Sequence, residues 1–395
     1  MNTPRTMRCP QAGMSMIELM IAITLGLMIL AGLAVLFANA SNSQHELRRT
    51  AQQIENGRYA MDVLIQDLQL AGFFGEYRAN LSATALPDPC VFTIGDLTTA
   101  IRTPVQGYAA ASLTAQPVLP ATCVTWLPPA NLSPGSDVLV VRRADTQNVP
   151  IGTATLAGDR FLQSSSQAFE VQDGGGAPTT CTSKANGGTT ATVTRRCQFP
   201  ASADICPADC TAGVSTAGYV RALRVHVYFV APCNRPPAGT TTCTASSDNG
   251  RPIPTLKRLE LARDAGTGQT TFQFVPIAEG VEFMKLAYGI DDVPGAPANS
   301  ETGRIGDGAP DRYVLAPTPA EFGNAVTARV DLLVRHPEPS PGQLETKTYN
   351  LSIDPITPTA AGVAITPADV DRTYRRHVYN AEVRLVNLSS RKEIP

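Results

Sequence analysis

The sequence predicts an α+β protein: a long N-terminal helix packed as a spine on an antiparallel β-sheet head with disulfide-stapled loops. Three observations carry this. Residues from about Met14 to Ala71 hold a continuous helical pattern, apolar at first and amphipathic afterwards. The later chain holds several runs with period-two alternation. Most cysteines gather in Thr/Gly/Pro-rich stretches.

The helix comes first in the chain. Leu19 to Ala38 is uncharged and has the roughly 20 residues that a helix needs to cross about 30 Å of hydrocarbon. Beyond it, Leu47, Ala51, Ile54, Met61, Ile65 and Leu68 recur at steps of three and four, the stripe of an amphipathic helix. Arg58 is the polar intruder, and Glu55 to Arg58 and Arg58 to Asp62 are spaced for ion pairs. Gly72 and Gly75 supply a stop. One helix from about Met14 to Ala71 would run roughly 85 Å.

The strands follow. Leu223, Val225, Val227 and Phe229 alternate with Arg224, His226 and Tyr228. Val330, Leu332 and Val334 alternate with Arg329, Asp331 and Arg335, and Val383 and Leu385 alternate with Glu382 and Arg384. Adding Asp137 to Arg142, Thr271 to Val275 and Val281 to Tyr288 gives an antiparallel sheet, one half-buried face of which covers the stripe from Leu47 to Leu68.

Composition sets bounds. The 395 residues are 43% hydrophobic and 17% charged with a net charge of -2, enough for a large head with a core. The scattered basic residues exclude the electrostatic footprint of a nucleic-acid binder. Of nine cysteines, Cys9 precedes the apolar run. Cys90, Cys123, Cys181, Cys197, Cys206, Cys210, Cys233 and Cys243 follow it, an even set that reads as disulfides made in an oxidising compartment such as a bacterial periplasm. Neighbour pairs such as Cys181 with Cys197 and Cys233 with Cys243 are expected. The stretch from about Val171 to Gly250, rich in Thr, Gly, Pro and Cys, reads as a disulfide-stapled insert. Arg5, Arg8 and the terminal amine favour a cytoplasmic N-terminus only weakly, and the cysteines place the remaining chain outside.

No catalytic or metal-binding motif emerges, so neither an enzyme nor a cofactor is expected. His45, His226, His336 and His377 lie in no nucleophile, ligand or acid-base pattern. CPADC has the wrong spacing for a zinc knuckle. The acidic loop with Asp291, Asp292, Asp307 and Asp311 lacks tight calcium-loop spacing and reads as solvated.

One residue is unaccounted for. Glu18 sits near the head of the apolar run, and a charge well inside a bilayer costs about 2.5 to 3.5 kcal/mol, so it asks for a counter-charge. With its surroundings, a short basic leader ending at Gly13 and then MSMIELMIA, the segment resembles the type IV prepilin N-terminus. Met14 and Met16 stand where phenylalanine and leucine are usual in that family. The resemblance implies cleavage after Gly13 by a prepilin peptidase, N-methylation of Met14, and a role for Glu18 in registering the subunit against a neighbour's N-terminal amine. ENGRYAMDVLIQDLQLAGFFG, SDVLVVRRAD, EGVEFMKLAYGIDD, ARVDLLVRHPEP and DRTYRRHVYNAEVRLVN extend it: in that order they are similar to landmarks of the large minor pilins of the PilW kind.

The implied organisation is a leader at 1–13, a spine helix at 14–71 (14–40 membrane or filament core, 41–71 amphipathic) and a β-rich head at 72–395 with an insert at about 171–250. The implied function is assembly of a type IV pilus, with links to adhesion and twitching motility. The protein is inserted in the inner membrane, head in the periplasm, and then drawn into a priming or tip complex. Implied partners are the prepilin peptidase, other minor pilins, the major pilin, inner-membrane lipid and a tip adhesin. Two alternatives stand beside this. A minor pseudopilin of a type II secretion system shares leader and helix, although the large tip subunit there typically lacks the glutamate. A secreted protein cut by signal peptidase after Ala40 would use Ala38-Asn39-Ala40 as its cleavage site.

Overall fold

The computed structural model describes residues 15–75, 77, 85–149, 156–164, 169–174, 180–184, 190–194, 219–292, 308–340, 342–354, 356 and 362–389. The chain divides into two compact units, Met1–Gln52 and Gln53–Pro395.

Helix α1 spans Met16–Leu70 and so contributes to both units. In the first unit its apolar side chains are exposed around the whole circumference, from Ile17 at 69% to Phe37 at 77%. In the second unit its buried residues are Gln53, Gly57, Ala60, Met61, Leu64, Asp67 and Leu68. This corrects the expected stripe. Leu47 and Ile54 are exposed, because the face that packs is set by Gln53, Gly57 and Asp67, polar or small residues whose partners lie far off in sequence. The expected ion pairs of Arg58 with Glu55 and Asp62 are also missing among the described residues, and Arg49 with Glu46 at 3.2 Å is the pair that forms. The helix stops where expected: Gly72 takes φ of +72°, a left-handed conformation natural to glycine after a last helical turn.

The second unit contains β1 (Val105–Tyr108), β2 (Val138–Ala144), β3 (Arg160–Ser164), β4 (Phe169–Asp173), β5 (Thr180–Lys184), β6 (Thr190–Thr194), β7 (Tyr219–Ala231) and β8 (Thr255–Arg263). It continues with β9 (Thr270–Glu279), β10 (Val281–Ile290), β11 (Arg312–Val314), β12 (Ala325–Arg335), β13 (Tyr349–Leu351), β14 (Val363–Ile365) and β15 (Arg376–Arg384). The one expected sheet is two. Seven strands run β1-β2-β7-β3-β4, with β8 and β9 attached through β7; four run β11-β10-β12-β15; β5-β6 and β13-β14 are separate hairpins.

The stretch 171–250 is not uniformly a loop region, since the 13-residue β7 lies inside it and pairs with β2, β3 and β8. Alternation along β7 divides two cores. Tyr228 and Val230 meet Leu64 and Leu68 of α1, while Val225, Val227 and Phe229 meet Phe74, Leu97, Leu127 and Leu132 on the other side. The second core lies under α2 (Ile94–Ala100) and α3 (Ala121–Val124), stapled there by a disulfide between Cys90 and Cys123. A third, small core holds Phe283 and Leu333 against Leu351 and Ile365 of β13 and β14. Fully burying a leucine contributes about 1.5 to 3 kcal/mol, so Leu64 and Leu68, both at 0% exposure, fasten the helix firmly.

Two close approaches show why particular residues are small. A Cβ on Gly57 would overlap the Tyr379 ring of β15, and one on Gly107 would overlap the Tyr288 hydroxyl. A buried pair joins the sheets: Asp137, just before β2, accepts from Lys285 Nζ of β10 at 2.6 Å and from the Leu286 N–H at 2.9 Å. Burial pushes the Asp137 carboxyl up despite the lysine.

Candidate functional site

The chemistry-bearing features fall in two places: the start of α1, and a polar cluster beneath its last turns. At the start, the Ser15 N–H donates to Glu18 Oε2 at 3.1 Å, and Ser15 Oγ accepts from the Ile17 N–H at 3.4 Å. Ser15 is thus the N-cap, and Glu18 makes the reach-back half of a capping box. The helix dipole adds a favourable field for a carboxylate there. Gly13 and Met14 lie outside the described residues, as does Cys9. Behind Glu18, a window of 18 residues has mean hydropathy 2.7 and none of it is buried, which makes α1 long and apolar enough to cross a membrane.

The second place centres on Asp67, 4% exposed. Its Oδ1 accepts from Arg143 Nε at 2.6 Å; its Oδ2 accepts from the Tyr228 hydroxyl at 2.9 Å and lies 2.7 Å from His226 Nδ1. Burial by itself would raise the Asp67 carboxyl. The His226 and Arg143 charges and hydrogen bonds outweigh it and hold the group down to about 2. Burial and the Asp67 charge push the Tyr228 phenol well up. The cluster clamps helix to sheet, because the carboxylate belongs to α1, the arginine to β2 and the other two groups to β7. At the opposite end of this segment, Gln53 Nε2 donates to the Val334 carbonyl at 2.6 Å and Asn56 Nδ2 to the Glu279 carbonyl at 3.1 Å.

Neither Gln53 nor Asp67 stands out in sequence; each sits one position before a residue of the expected stripe, Ile54 and Leu68, and off the stripe itself. Only their burial shows that they need partners.

The remaining candidates have structural partners. His336 is buried with Nδ1 3.4 Å from Ser340 Oγ, and His377 is exposed beside Tyr379. Asp88, Cys90 and Cys123 place ligand atoms within 4.8 Å of one another, but the two sulfurs form a disulfide and offer no thiolate for a metal. In the acidic loop, Asp292 pairs with Arg312 at 2.7 Å and the Asp311 carboxylate accepts the Asp292 N–H at 2.9 Å, while Asp307 lies outside the described residues. Arg312 thus supplies the positive partner of Asp292 and of Glu321.

Of the cysteines expected to cross-link, Cys233 is bonded to Cys243 and Cys90 to Cys123. Cys181 lies on the backbone of β5; Cys197, Cys206 and Cys210 lie outside the described residues.

Comparison with known proteins yields two matches. Residues 242–387 match the family model described as Type IV Pilus-assembly protein W, and residues 8–34 match the prokaryotic N-terminal methylation motif. No curated protein and no solved structure matches the chain. The first matched segment contains β8 to β15; the second contains Gly13, Met14, Glu18 and most of the exposed apolar helix. Together with the pilin-like α+β fold they support a pilin role in pilus assembly. The two matched segments, 146 and 27 of the 395 residues, thus support a type IV pilus minor pilin of the PilW kind.

Proposed function

We propose that the chain is inserted in the inner membrane with its head in the periplasm, cut between Gly13 and Met14 by the prepilin peptidase, and methylated on Met14. It then enters a priming or tip complex with other minor pilins and the major pilin through its N-terminal helix. The observation that carries this is the pairing of an apolar helix segment left uncovered by the described residues with one carboxylate in its first turn. Apolar area drives insertion. Glu18 supplies register, because a carboxylate in an apolar layer is relieved only where a neighbour's amine meets it. The head acts as a structural and interaction body, with no chemistry of its own.

The organisation proposed is a leader at 1–13, helix at 14–71 and head at 72–395, with the last turns of α1 built into the head's core. The test is the mature N-terminus by mass spectrometry, followed by Glu18→Ala. N-methyl-Met14 is expected, and the variant should be cleaved and stay in the membrane yet fail to support piliation. A mature chain starting at Ser41 would refute the class, and wild-type piliation with Glu18→Ala would refute the registration role.

A further inference from the structure

Sheet edges leave a row of backbone donors and acceptors unpaired, and most proteins blunt them with proline, bulges, charge or brevity. The head's edges are blunted to different degrees. β1 has four residues, β11 three and β4 five. β9 carries Pro276 and a register shift against β8. β15 is the exception: nine residues, RHVYNAEVR, paired without a shift to β12 from Arg335↔Arg376 to Thr327↔Arg384. It contains no proline or glycine. Among the described residues no strand lies on its outer side.

The hydrogen bonds at both ends fix which residues face outward. Leu385 donates its N–H to the Val326 carbonyl at 2.8 Å, and the Arg375 carbonyl accepts from the His336 N–H at 2.9 Å. In an antiparallel ladder both backbone groups of a residue point the same way and alternate along the strand. Odd-numbered residues of β15 therefore bond to β12, and Val378, Asn380 and Glu382 turn their N–H and C=O groups outward.

The flanks of this edge are not neutral. On the side of α1 lie His377, Tyr379 and Ala381; Tyr379 packs edge-on against His377 and donates to the Gln53 carbonyl at 3.4 Å. Arg58 of α1 is exposed and close enough for its charge to act on the Tyr379 phenol. Ile54, 40% exposed, belongs to the same helix face region. An incoming strand meets an aromatic flank with one exposed cation, Arg58, so the side chains it turns to this face are best apolar beside Tyr379 and acidic beside Arg58. A second copy suits it poorly. In-register parallel self-pairing would stack Glu382 on Glu382 and Arg384 on Arg384, like-charge contacts that weaken a ladder. Antiparallel self-pairing centred on Asn380 would set Glu382 opposite Val378 and Arg384 opposite Arg376, which Glu282 already neutralises, so neither arrangement offers charge complementarity.

We propose that the outer edge of β15 accepts an extended strand donated by a different protein of the pilus complex. The strand is paired through the backbone of Val378, Asn380 and Glu382, and its apolar and acidic side chains point toward Tyr379, His377 and Arg58. Such strand addition derives affinity from main-chain bonds and specificity from the flanking side chains. The identity of the donor as a pilus subunit rests on the assembly reading above; the open edge does not.

The test uses the full chain in piliated cells, with the photo-reactive residue p-benzoylphenylalanine replacing Asn380. Irradiation should give an adduct between this chain and a protein of different mass in the pilus fraction. Adding Val378→Pro should reduce that adduct at least tenfold, because the outward N–H is lost while the β12 ladder is untouched. Val378→Ala should leave it within twofold. An adduct between two copies of this chain, or an adduct indifferent to Val378→Pro, overturns the proposal. Absence of the unmodified chain from pili sinks the assembly reading, whereas its presence there without any adduct sinks the edge. Should Val378→Pro lose protease resistance, amide exchange decides: Val378, Asn380 and Glu382 must exchange more slowly in pili than in the detergent-solubilised chain, and equal rates overturn the proposal.

Discussion

Replacing Asp67 by Asn keeps shape and removes charge, which isolates the electrostatic part of the clamp. At pH 7 the wild-type carboxylate is ionised and meets Arg143, His226 and Tyr228 within hydrogen-bonding distance. The amide leaves Arg143, whose side chain is only 17% exposed, without its counter-charge. Breaking a buried pair by removing one partner costs about 3 to 5 kcal/mol; the retained shape and the Tyr228 contact place this case near the lower end. Linkage gives an independent figure. The carboxyl falls from 3.8 to about 2 on folding, which by linkage corresponds to roughly 2 to 3 kcal/mol of stability.

The sign follows from the depressed value: the contribution is complete above pH 4 and lost as pH falls through about 2. Trp126, the only tryptophan, packs edge-on against Phe92 and Phe272, so its fluorescence reports unfolding of the head. Urea titration of the full chain in mild detergent should show Asp67→Asn about 3 kcal/mol less stable than wild type at pH 7, with the gap narrowing to below about 1 kcal/mol near pH 2. A gap of the same size at pH 7 and pH 2 would refute the electrostatic account and leave only shape.

Two further outcomes follow from packing and cross-links. Gly57→Ala should destabilise the head by about 1 to 3 kcal/mol through overpacking against Tyr379, and Tyr379→Ala in the same chain should recover part of that in thermal unfolding; equal losses with and without the tyrosine would disprove the clash. Replacing Cys90 and Cys123 by Ser should cost about 1 kcal/mol more than replacing Cys233 and Cys243, because loops of 33 and 10 residues correspond to roughly 3.7 and 2.7 kcal/mol of chain entropy; the reverse order in urea midpoints would contradict it.

The parts of this fold legible in sequence are those whose cause is local. Alternation in β7 and β12 and the glycine stop after α1 are read within ten residues. Where tertiary partners decide, local reading misleads. Alternation in β12 suggested one solvated face, yet Asp331 is 1% exposed, because it accepts from Arg329 and from the Ser352 N–H near β13 and the small third core covers that face. Gln53 and Asp67 were invisible as anchors because their partners lie 281 and 159 residues away. The Cys90–Cys123 bond was equally hidden, since spacing carries no pairing information for eight cysteines. At the N-terminus the reverse holds: the residues around Glu18 form a recognisable string, matched over 8–34, because the prepilin-type pattern is contiguous in sequence and needs no distant partner.

The two parts of α1 show why the carboxylate matters more than the apolar surface around it. From Ile17 to Phe37 the large side chains are mostly more than half exposed, and leaving a side chain of this size in water forfeits about 1.5 to 3 kcal/mol. A dozen of them forfeit more than the 5 to 15 kcal/mol that typically holds a whole domain together, so this segment must be covered by lipid or by other helices. Those two environments are almost equally apolar, however, and apolar area cannot choose between them. Glu18 can. In lipid it is supported by the Ser15 N–H and by a helix terminus contributing about 0.3 to 1 kcal/mol, against a cost of about 2.5 to 3.5 kcal/mol at full depth. The remainder is recovered only beside a positive charge. On the assembly reading that charge is a neighbour's N-terminal amine, so the carboxylate, contributing little to the total burial, supplies most of the difference between staying in the membrane and joining the filament.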